Sequence, residues 1–578
     1  MIQFFNQLSE LVKTWLIFCI LFLILLASSY ALLHPSFFHL HDFTHAARIA
    51  EMVRGLDAGQ LPVRWSENFG YGFGMPLFNF YAPLPYFVGA LFYKVGFSLL
   101  ASIKLLYLLT GALTIISSYL LGRQLLGRLG GLVLAAAYTL APYRALNLFV
   151  RGALSEALAM SFLPVVLWAI VAFSKKQDKK YLFFLVLSLF GIILSHNLTA
   201  LIFIPLAALF TFLYLWRLDR LKLLWPIAGQ FILAAALSAF YMLPALLEKN
   251  DTVIERIFAG YFHYSHHFLY LRQFFQDNWA YGGSGWGPGD DVSFFLGFGQ
   301  LSGLLVLMVL LLGKLRRGLL TLTRRKEFFL LVTIGLMLIF SLLMSTFKTQ
   351  WLWDRVSLLQ FIQFPWRFLS AASLFVAILV AFNFAWLRGF GKRLILALIL
   401  LVLLFTNARY FQPEKYLDNA AALYYGEPER IRNEMSEILP DYIPKQMPEE
   451  KVLREKNQEL PALWLNNEMY TKNDDDKLEI MLDRGFEKMA LIDSGQEQIL
   501  NFKVAYFPGW QAEVDGQSQE ILVSESLGNI QVRVPKGEHK VVIYFSEQTP
   551  ARIWGDAISL LALLICFYYF APFAKNKK

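Results

Sequence analysis

Cysteine is nearly absent. Cys19 and Cys566 are the only two in 578 residues, and both lie inside apolar runs. That excludes a disulfide framework and a cysteine-built metal site. Charge is scarce as well: Asp, Glu, Lys and Arg together make 16% of the chain, where soluble domains carry about 25%. The sequence has no glycine-rich phosphate loop, no GxGxxG after a strand, no GxSxG and no HExxH. Nucleotide-driven chemistry and zinc proteolysis therefore have no support. There is no whole-chain repeat and no low-complexity tract. What is present is apolar. Hydrophobic residues make 57% of the chain and the mean hydropathy is +0.48, the composition of an integral membrane protein. The aromatic counts (Phe 53, Tyr 26, Trp 14) suit lipid contact, interfacial belts and sugar stacking alike.

Residues 15–33 are long enough to span a bilayer, and too long for the apolar core of a cleaved signal peptide. Apolar stretches follow at 99–121, 130–143, 155–173, 181–196, 198–216, 224–247, 293–313, 327–347, 367–387, 392–408 and 552–572, which makes about twelve spans. Basic clusters at Arg123/Arg128, Lys175 to Lys180, Arg217 to Lys222, Lys314 to Lys326, Arg388 to Arg393 and Lys575 to Lys578 test that count. All fall on one side if 84–97 is a surface or re-entrant helix. The positive-inside rule makes that side, and both termini, cytoplasmic. The net charge of +9 then serves membrane orientation and calls for no nucleic-acid partner.

The expected fold is mainly α. A polytopic helical domain covers 1–408, with a first outer loop at 34–83. A mixed helix and β-sandwich-like domain covers 409–551 outside the membrane, and a final helix with a basic tail covers 552–578. The outer domain opens on DNAAALYYGEPERIRNEMSEI, a helical pattern. It then turns to alternating apolar and polar residues between Gly, Pro and Asp turns, the period of half-buried antiparallel strands.

The first outer loop carries His41, Asp42, His45, Arg48 and Glu51. Asp42 reads either as a general base at the membrane surface, assisted by His45, or as the cap of a helix running to about Leu56. His41, Asp42 and His45 are also where a divalent cation would sit, although no firm metal site is expected. Arg64, Arg144, Arg151 and Arg367 lie on the face the positive-inside rule disfavours. They serve either as ligands for a lipid phosphate or as partners of buried acids, Arg151 with Glu156 above all. Glu156 and His196 fall at outer ends of spans, where an ionisable group is a functional candidate by default. Tyr71, Asn79 and Tyr81 in the first loop, with His263 and Asp290 in the glycine- and aromatic-rich loop 248–292, are candidates for contacting substrate. In the β-region, Tyr506, Trp510 and Tyr544 read as sugar-stacking rings or as packing.

The layout of a span, an outer loop with an early aspartate, many spans and an outer C-terminal module resembles the GT-C class of membrane glycosyltransferases. HDFTHAARIAEMVRGLDAGQLPVRWSENFGYGFGMPLFNFYAPLPY, YRALNLFVRGALSEALAMSFLP, LSHNLTALIFIP and QFPWRFLSAAS are similar to the bacterial membrane family labelled 6-pyruvoyl-tetrahydropterin synthase-related. The tail YFPGWQAEVDG…VRVPKGEHKVVIYF resembles that of YfhO-type membrane proteins. The GT-C resemblance implies an enzyme of the bacterial cytoplasmic membrane, active on its outer face. Its donor would be a polyprenyl-phosphate sugar and its acceptor a cell-envelope glycan, glycolipid or protein. Asp42 matches the acidic residue of the first outer loop, flanked by His41 and Phe43 where GT-C members often carry an acidic pair. A lipid-linked-sugar flippase and a non-enzymatic subunit of envelope polysaccharide assembly are the alternative readings.

Overall fold

A computed structural model describes residues 10–316, 322–386, 389–418, 426–436, 442–448, 469–471 and 477–575. Each predicted apolar stretch overlaps a helix. Among the described residues seven helices are long and apolar enough to cross a membrane, or eight if one bent pair counts as a span. They include Glu10–Leu33, Leu154–Lys176, Asn197–Arg217, Glu327–Met344, Pro365–Phe384 and Pro550–Ala571. The difference from about twelve has local causes. The stretches at 99–121 and 130–143 merge into one 41-residue helix, Leu99–Thr139, broken at Gly127 (φ 83°). The stretch at 224–247 is bent by 67° between Leu221–Leu237 and Ala239–Leu247. Lys179–Ser195, Phe298–Lys314 and Leu394–Tyr410 are helices of 17 residues or fewer. The expected surface or re-entrant segment is the 11-residue helix Leu84–Lys94, which starts on prolines.

The C-terminal region forms two antiparallel sheets. Its strands are β1 (Met469–Tyr470), β2 (Lys477–Arg484), β3 (Glu487–Ser494), β4 (Gln498–Ala505), β5 (Trp510–Val514), β6 (Gln517–Gln519), β7 (Ile521–Val523), β8 (Asn529–Val534) and β9 (Gly537–Phe545). One sheet has the order β1-β4-β8-β7 and the other β2-β3-β9-β5-β6. Inward residues alternate along the strands, as the period-two pattern requires: Ala490 and Ile492, Ile530 and Val532, Val541 and Ile543 are fully buried. The helix expected from Asp418 lies mostly outside the described residues, which there show Pro428–Arg430 and a π-turn at Ile431–Met435. The basic tail beyond Lys575 lies outside them too.

The first outer loop joins the two halves. Glu51, on the helix His45–Asp57, is 1% exposed and organises the turn that follows. Its carboxylate accepts from Ser66 Oγ (2.5 Å), Asn68 N (3.1 Å), Asn68 Nδ2 (2.7 Å) and Arg54 Nη1 (2.6 Å). Gly74 (φ 76°) lets this turn close, because a Cβ there would stand 2.5 Å from the Trp65 ring. Trp65 then meets Trp510 of β5 edge-on at 5.2 Å, and Ala505 of β4 donates its N–H to the Phe73 carbonyl (2.8 Å). Trp510 is 5% exposed and Tyr544 donates to Gln511 and Glu513. Of the three β-region aromatics, Trp510 is therefore a core ring, not a sugar platform.

Candidate active site

The site begins with a backbone pairing. His41 N–H donates to the Val150 carbonyl (3.0 Å) and Asp42 N–H to the Arg151 carbonyl (2.9 Å). The first loop is thus stitched to the segment between the helices Pro142–Phe149 and Leu154–Lys176. Gly152 follows in a left-handed conformation (φ 69°), and a Cβ there would lie 2.9 Å from the Asp42 carbonyl oxygen. Only glycine fits this approach without displacing Asp42.

The Asp42 carboxylate closes a local turn. Oδ1 accepts from Thr44 Oγ1 (2.7 Å) and Thr44 N (3.3 Å), while Oδ2 accepts from Arg48 Nη1 (2.9 Å). The helix starts at His45 with Thr44 as its N-cap residue, so Asp42 braces the entry to the helix and does not cap it. Burial alone would raise the Asp42 carboxyl. The Arg48 guanidinium and the hydrogen bonds from Arg48 and Thr44 outweigh it and hold the group well below the usual carboxylate range. Asp42 is ionised at any physiological pH, and its side chain remains 27% exposed.

His45 is fully committed. Nε2 donates to the Gly152 carbonyl and Nδ1 accepts from Tyr86 Oη (3.2 Å). Those partners assign the neutral Nε2–H tautomer. Burial lowers its pKa, in keeping with a neutral ring. The ring positions the loop, and no lone pair is left for a proton or a metal. Arg48 reaches from one turn further on to Tyr86 Oη (2.9 Å) and stacks over the Tyr81 ring at 4.3 Å.

A second acidic centre lies across from the first. Glu156 is 1% exposed. Its Oε1 accepts from Tyr143 Oη (2.6 Å) and Asn147 Nδ2 (3.3 Å), and its Oε2 from Arg151 Nη1 (2.9 Å). Arg367 Nε stands 3.8 Å from Oε2, too far for a hydrogen bond, and has no hydrogen-bond partner among the described residues. Arg151 also lies over the Trp366 ring at 4.3 Å. His196 ends one helix and caps the next: Nδ1 accepts from Thr199 N (3.2 Å), which leaves Nε2 as the protonated nitrogen.

These groups line one cavity of about 900 Å³. His41, Asp42, Arg48, Tyr81, Arg151, Glu156, His196 and Arg367 all face it, although they come from segments more than 300 residues apart. The loop 248–292 forms part of the wall through Tyr261, Phe262 and Gly282 to Ser284. His267 holds that wall in place. Its Nδ1 accepts from Ser284 Oγ (2.8 Å) and its Nε2 donates to the Tyr261 carbonyl (2.5 Å). Trp366 Nε1 donates to the same Ser284 oxygen (3.2 Å). Burial brings His267 down to about 4, so it is neutral near pH 7.

Several expected site residues lie elsewhere. Arg64 is 1% exposed and donates through Nε to both oxygens of Glu547 (2.9 and 2.7 Å), through Nη1 to Asn79 Oδ1 (3.2 Å) and through Nη2 to the Phe240 carbonyl (3.0 Å). It is a strut, with no valence left for a lipid phosphate. Asn79 continues that strut to Glu248 Oε2 (2.8 Å). Tyr71 is buried at a turn (φ 60°) whose N–H bonds Ser436 Oγ (3.0 Å). His263 caps a short turn at Ser265, and Asp290 braces its own loop through Gln273 Nε2 (2.6 Å) and Gly285 N (2.7 Å). Among the described residues no three His, Cys, Asp or Glu side chains gather to hold a metal. With Arg48 on Asp42 and both His45 nitrogens in use, the trio His41, Asp42 and His45 does not fit a divalent cation. The sequence reading named Arg48 in the first loop and His267 in the loop 248–292 without giving either a role, and passed over Tyr86 and Trp366. Arg48 had a signal, since a buried-face arginine one turn past Thr44 needs a carboxylate. The others are apolar or remote, and only the fold brings them in.

A protein of Lactococcus lactis subsp. cremoris (strain MG1363), known only as uncharacterized, is 27% identical over 281 residues. That match covers 46% of this chain and 44% of the relative, less than half the relative's length. The model of the 6-pyruvoyl-tetrahydropterin synthase related domain, a membrane-protein domain, matches residues 78–413, which carry most of the cavity wall. The chain belongs to this 6-pyruvoyl-tetrahydropterin synthase-related family of membrane proteins.

Proposed function

We propose that this membrane protein is a GT-C-type glycosyltransferase. It moves a sugar from a polyprenyl-phosphate donor to a cell-envelope acceptor on the outer face of the cytoplasmic membrane. The observation that carries the reading is the wall of the cavity. It sets one partly open, permanently ionised carboxylate, Asp42, in the same chamber as two arginines, Arg151 and Arg367. An anionic leaving group needs such arginines, since guanidinium binds phosphate oxygens in charge-assisted pairs.

The acceptor hydroxyl attacks the anomeric carbon. The carbon–oxygen bond to the lipid phosphate breaks, and the phosphate leaves with the electron pair toward Arg151 and Arg367. Asp42 is too weak a base to ionise a free hydroxyl. It takes the proton late, once the attacking oxygen has begun to bond to carbon and has become acidic. Arginines already in position stabilise the charge developing on the leaving phosphate. A single displacement inverts the anomeric centre. Glu156 is buried and engaged by three donors, so it orients Arg151 and takes no proton. A flippase would spread ionisable groups through the depth of the membrane, whereas Asp42, Arg151, His196 and Arg367 stand at helix ends or between helices.

The test is sugar release from polyprenyl-phosphate sugars by purified protein in lipid nanodiscs with a cell-envelope extract, wild type against Asp42→Asn. Turnover lost in a folded Asp42→Asn supports the assignment. Equal turnover removes Asp42 from the centre, and no turnover by wild type on any donor overturns the enzyme.

A further inference from the structure

Arg48, Arg64, Arg144 and Arg552 are the arginines buried to 1% exposure or less among the described residues. Three of them have a carboxylate at hydrogen-bond distance: Arg48 has Asp42 (2.9 Å), Arg64 has Glu547 (2.7 Å) and Arg552 has Glu248 (3.0 Å). Arg144 has no ion pair among the described residues. It does not line the large cavity either, so neither use expected of it, a lipid phosphate or a buried acid, is met.

The Arg144 guanidinium makes one hydrogen bond, from Nη1 to the Thr139 carbonyl (3.1 Å). Its Nε and Nη2 have no protein partner, and neither has the Thr139 hydroxyl. Nε and Nη2 form one edge of the guanidinium, the edge that grips an anion with two parallel N–H donors. A third donor stands on the residue to which Arg144 is already bonded.

Capping a helix does not account for this cation. Thr139 ends the Leu99–Thr139 helix, whose carbonyl end offsets only about half a charge. The neighbouring carbonyls are capped by neutral amides: Gln300 Nε2 donates to Ala137 O (2.8 Å) and Asn407 Nδ2 to Leu140 O (2.9 Å). Water would satisfy the N–H groups but brings no charge, and a buried charge without a counter-charge is strongly destabilising.

We infer that Arg144 and Thr139 hold a small inorganic anion of chloride size, bound across the Nε and Nη2 edge. Burial excludes a ligand with a chain or a sugar attached. The site lies behind the chamber wall. Arg144 shares the helix Pro142–Phe149 with Tyr143 and Asn147, which both donate to Glu156. The anion would brace that helix from the rear. The inference does not rest on sugar transfer.

The test is melting of the purified full chain in nanodiscs, in potassium chloride or potassium gluconate at equal ionic strength. The wild-type melting temperature should be higher in chloride and should climb with the logarithm of chloride concentration, as for any ligand that binds only the folded state. Bromide should replace chloride. Arg144→Met keeps the apolar stem and removes the charge. It should lose the chloride dependence and melt no lower than wild type in gluconate. A plain helix cap predicts otherwise: wild type melts alike in both salts, and Arg144→Met melts early in both by the same amount. That result overturns the inference, as does a chloride effect that persists in Arg144→Met. Should the variant fail to fold, anomalous scattering from wild-type crystals in bromide decides. A peak at the Nε and Nη2 edge, together with the chloride-dependent melting, supports the site. Water there instead overturns it, and bromide there without any effect on melting marks an adventitious ion only, which overturns it too.

Discussion

Two buried arginine–carboxylate clusters in this molecule use the same chemistry to opposite ends. At the junction of the first loop, the β-sheets and the last span, Arg64 and Arg552 are enclosed by protein partners. Arg552 donates to Glu248 Oε2 (3.0 Å), the Ser546 carbonyl (2.7 Å) and the Pro508 carbonyl (2.9 Å), and Thr549 Oγ1 donates to Glu248 Oε1 (2.5 Å). Neither arginine is more than 1% exposed, and neither lines the large cavity. At the cavity, Asp42 stays 27% exposed, and Arg151 and Arg367 stand in the wall beside it. A cluster walled in by protein holds parts together. One that lines a chamber can reach a ligand. The composition of the two clusters is the same, so what separates them is whether they face a cavity.

The comparison breaks most sharply at Asp42. Asp42→Asn should cost sugar transfer per folded molecule roughly a hundredfold or more, the range for loss of a general base, and should also lower the melting temperature because the buried Arg48 loses its carboxylate. Donor turnover in nanodiscs measures it. Arg64→Met should do the opposite. Losing the bonds that Arg64 donates to Glu547, Asn79 and the Phe240 carbonyl should cost about 1–3 kcal/mol, since Glu547 and Asp556 are 37% and 33% exposed and regain some water. It would be read as early melting and faster proteolysis of the β-region, with turnover per folded molecule retained.

Gly152→Ala probes the backbone approach alone. Its Cβ would press on the Asp42 carbonyl, and strain of about 1–3 kcal/mol at such a position should lower turnover more than stability. Equal losses in both would mean that Gly152 serves the fold only.

The smallest effect concerns the loop clasp. His267 is neutral in the folded chain with a pKa near 4, below its ordinary 6.5, because burial disfavours the charged form. The unfolded chain therefore takes a proton first. Stability should fall as pH drops from about 6.5 to about 4, by at most about 1.4 kcal/mol per unit. His267→Asn keeps an acceptor for Ser284 and a donor for Tyr261, and should flatten that slope in melting curves taken across the window.

Some of this was legible in the chain. The early aspartate, the arginine on the unfavoured face and the glutamate at a span end pointed to Asp42, Arg151, Glu156 and Arg367, and all four line the cavity. Their visibility has a physical reason: a charge next to an apolar run needs a partner or a ligand. The pairing of Arg151 with Glu156 was likewise readable from five residues of spacing. Arg64 carried the same signal and proved to be a strut, because its partner Glu547 lies 483 positions away. No local pattern distinguishes a phosphate ligand from half of a distant ion pair. His263 and His267 sit four residues apart in one loop, and only packing put His267 against Ser284 at the wall.

The sequence by itself determined that this is a membrane protein, where its helices lie, and that its C-terminal region forms β-sheets. Those follow from hydropathy and periodicity, which are properties of short stretches. The tertiary structure decided which arginines are walled in by protein and which line the cavity. It also decided that the segment 358–368 turns Gln363, Phe364 and Arg367 to one cavity and Leu359, Ile362 and Phe368 to another. Both depend on contacts between residues hundreds of positions apart, and no local property of the chain records them.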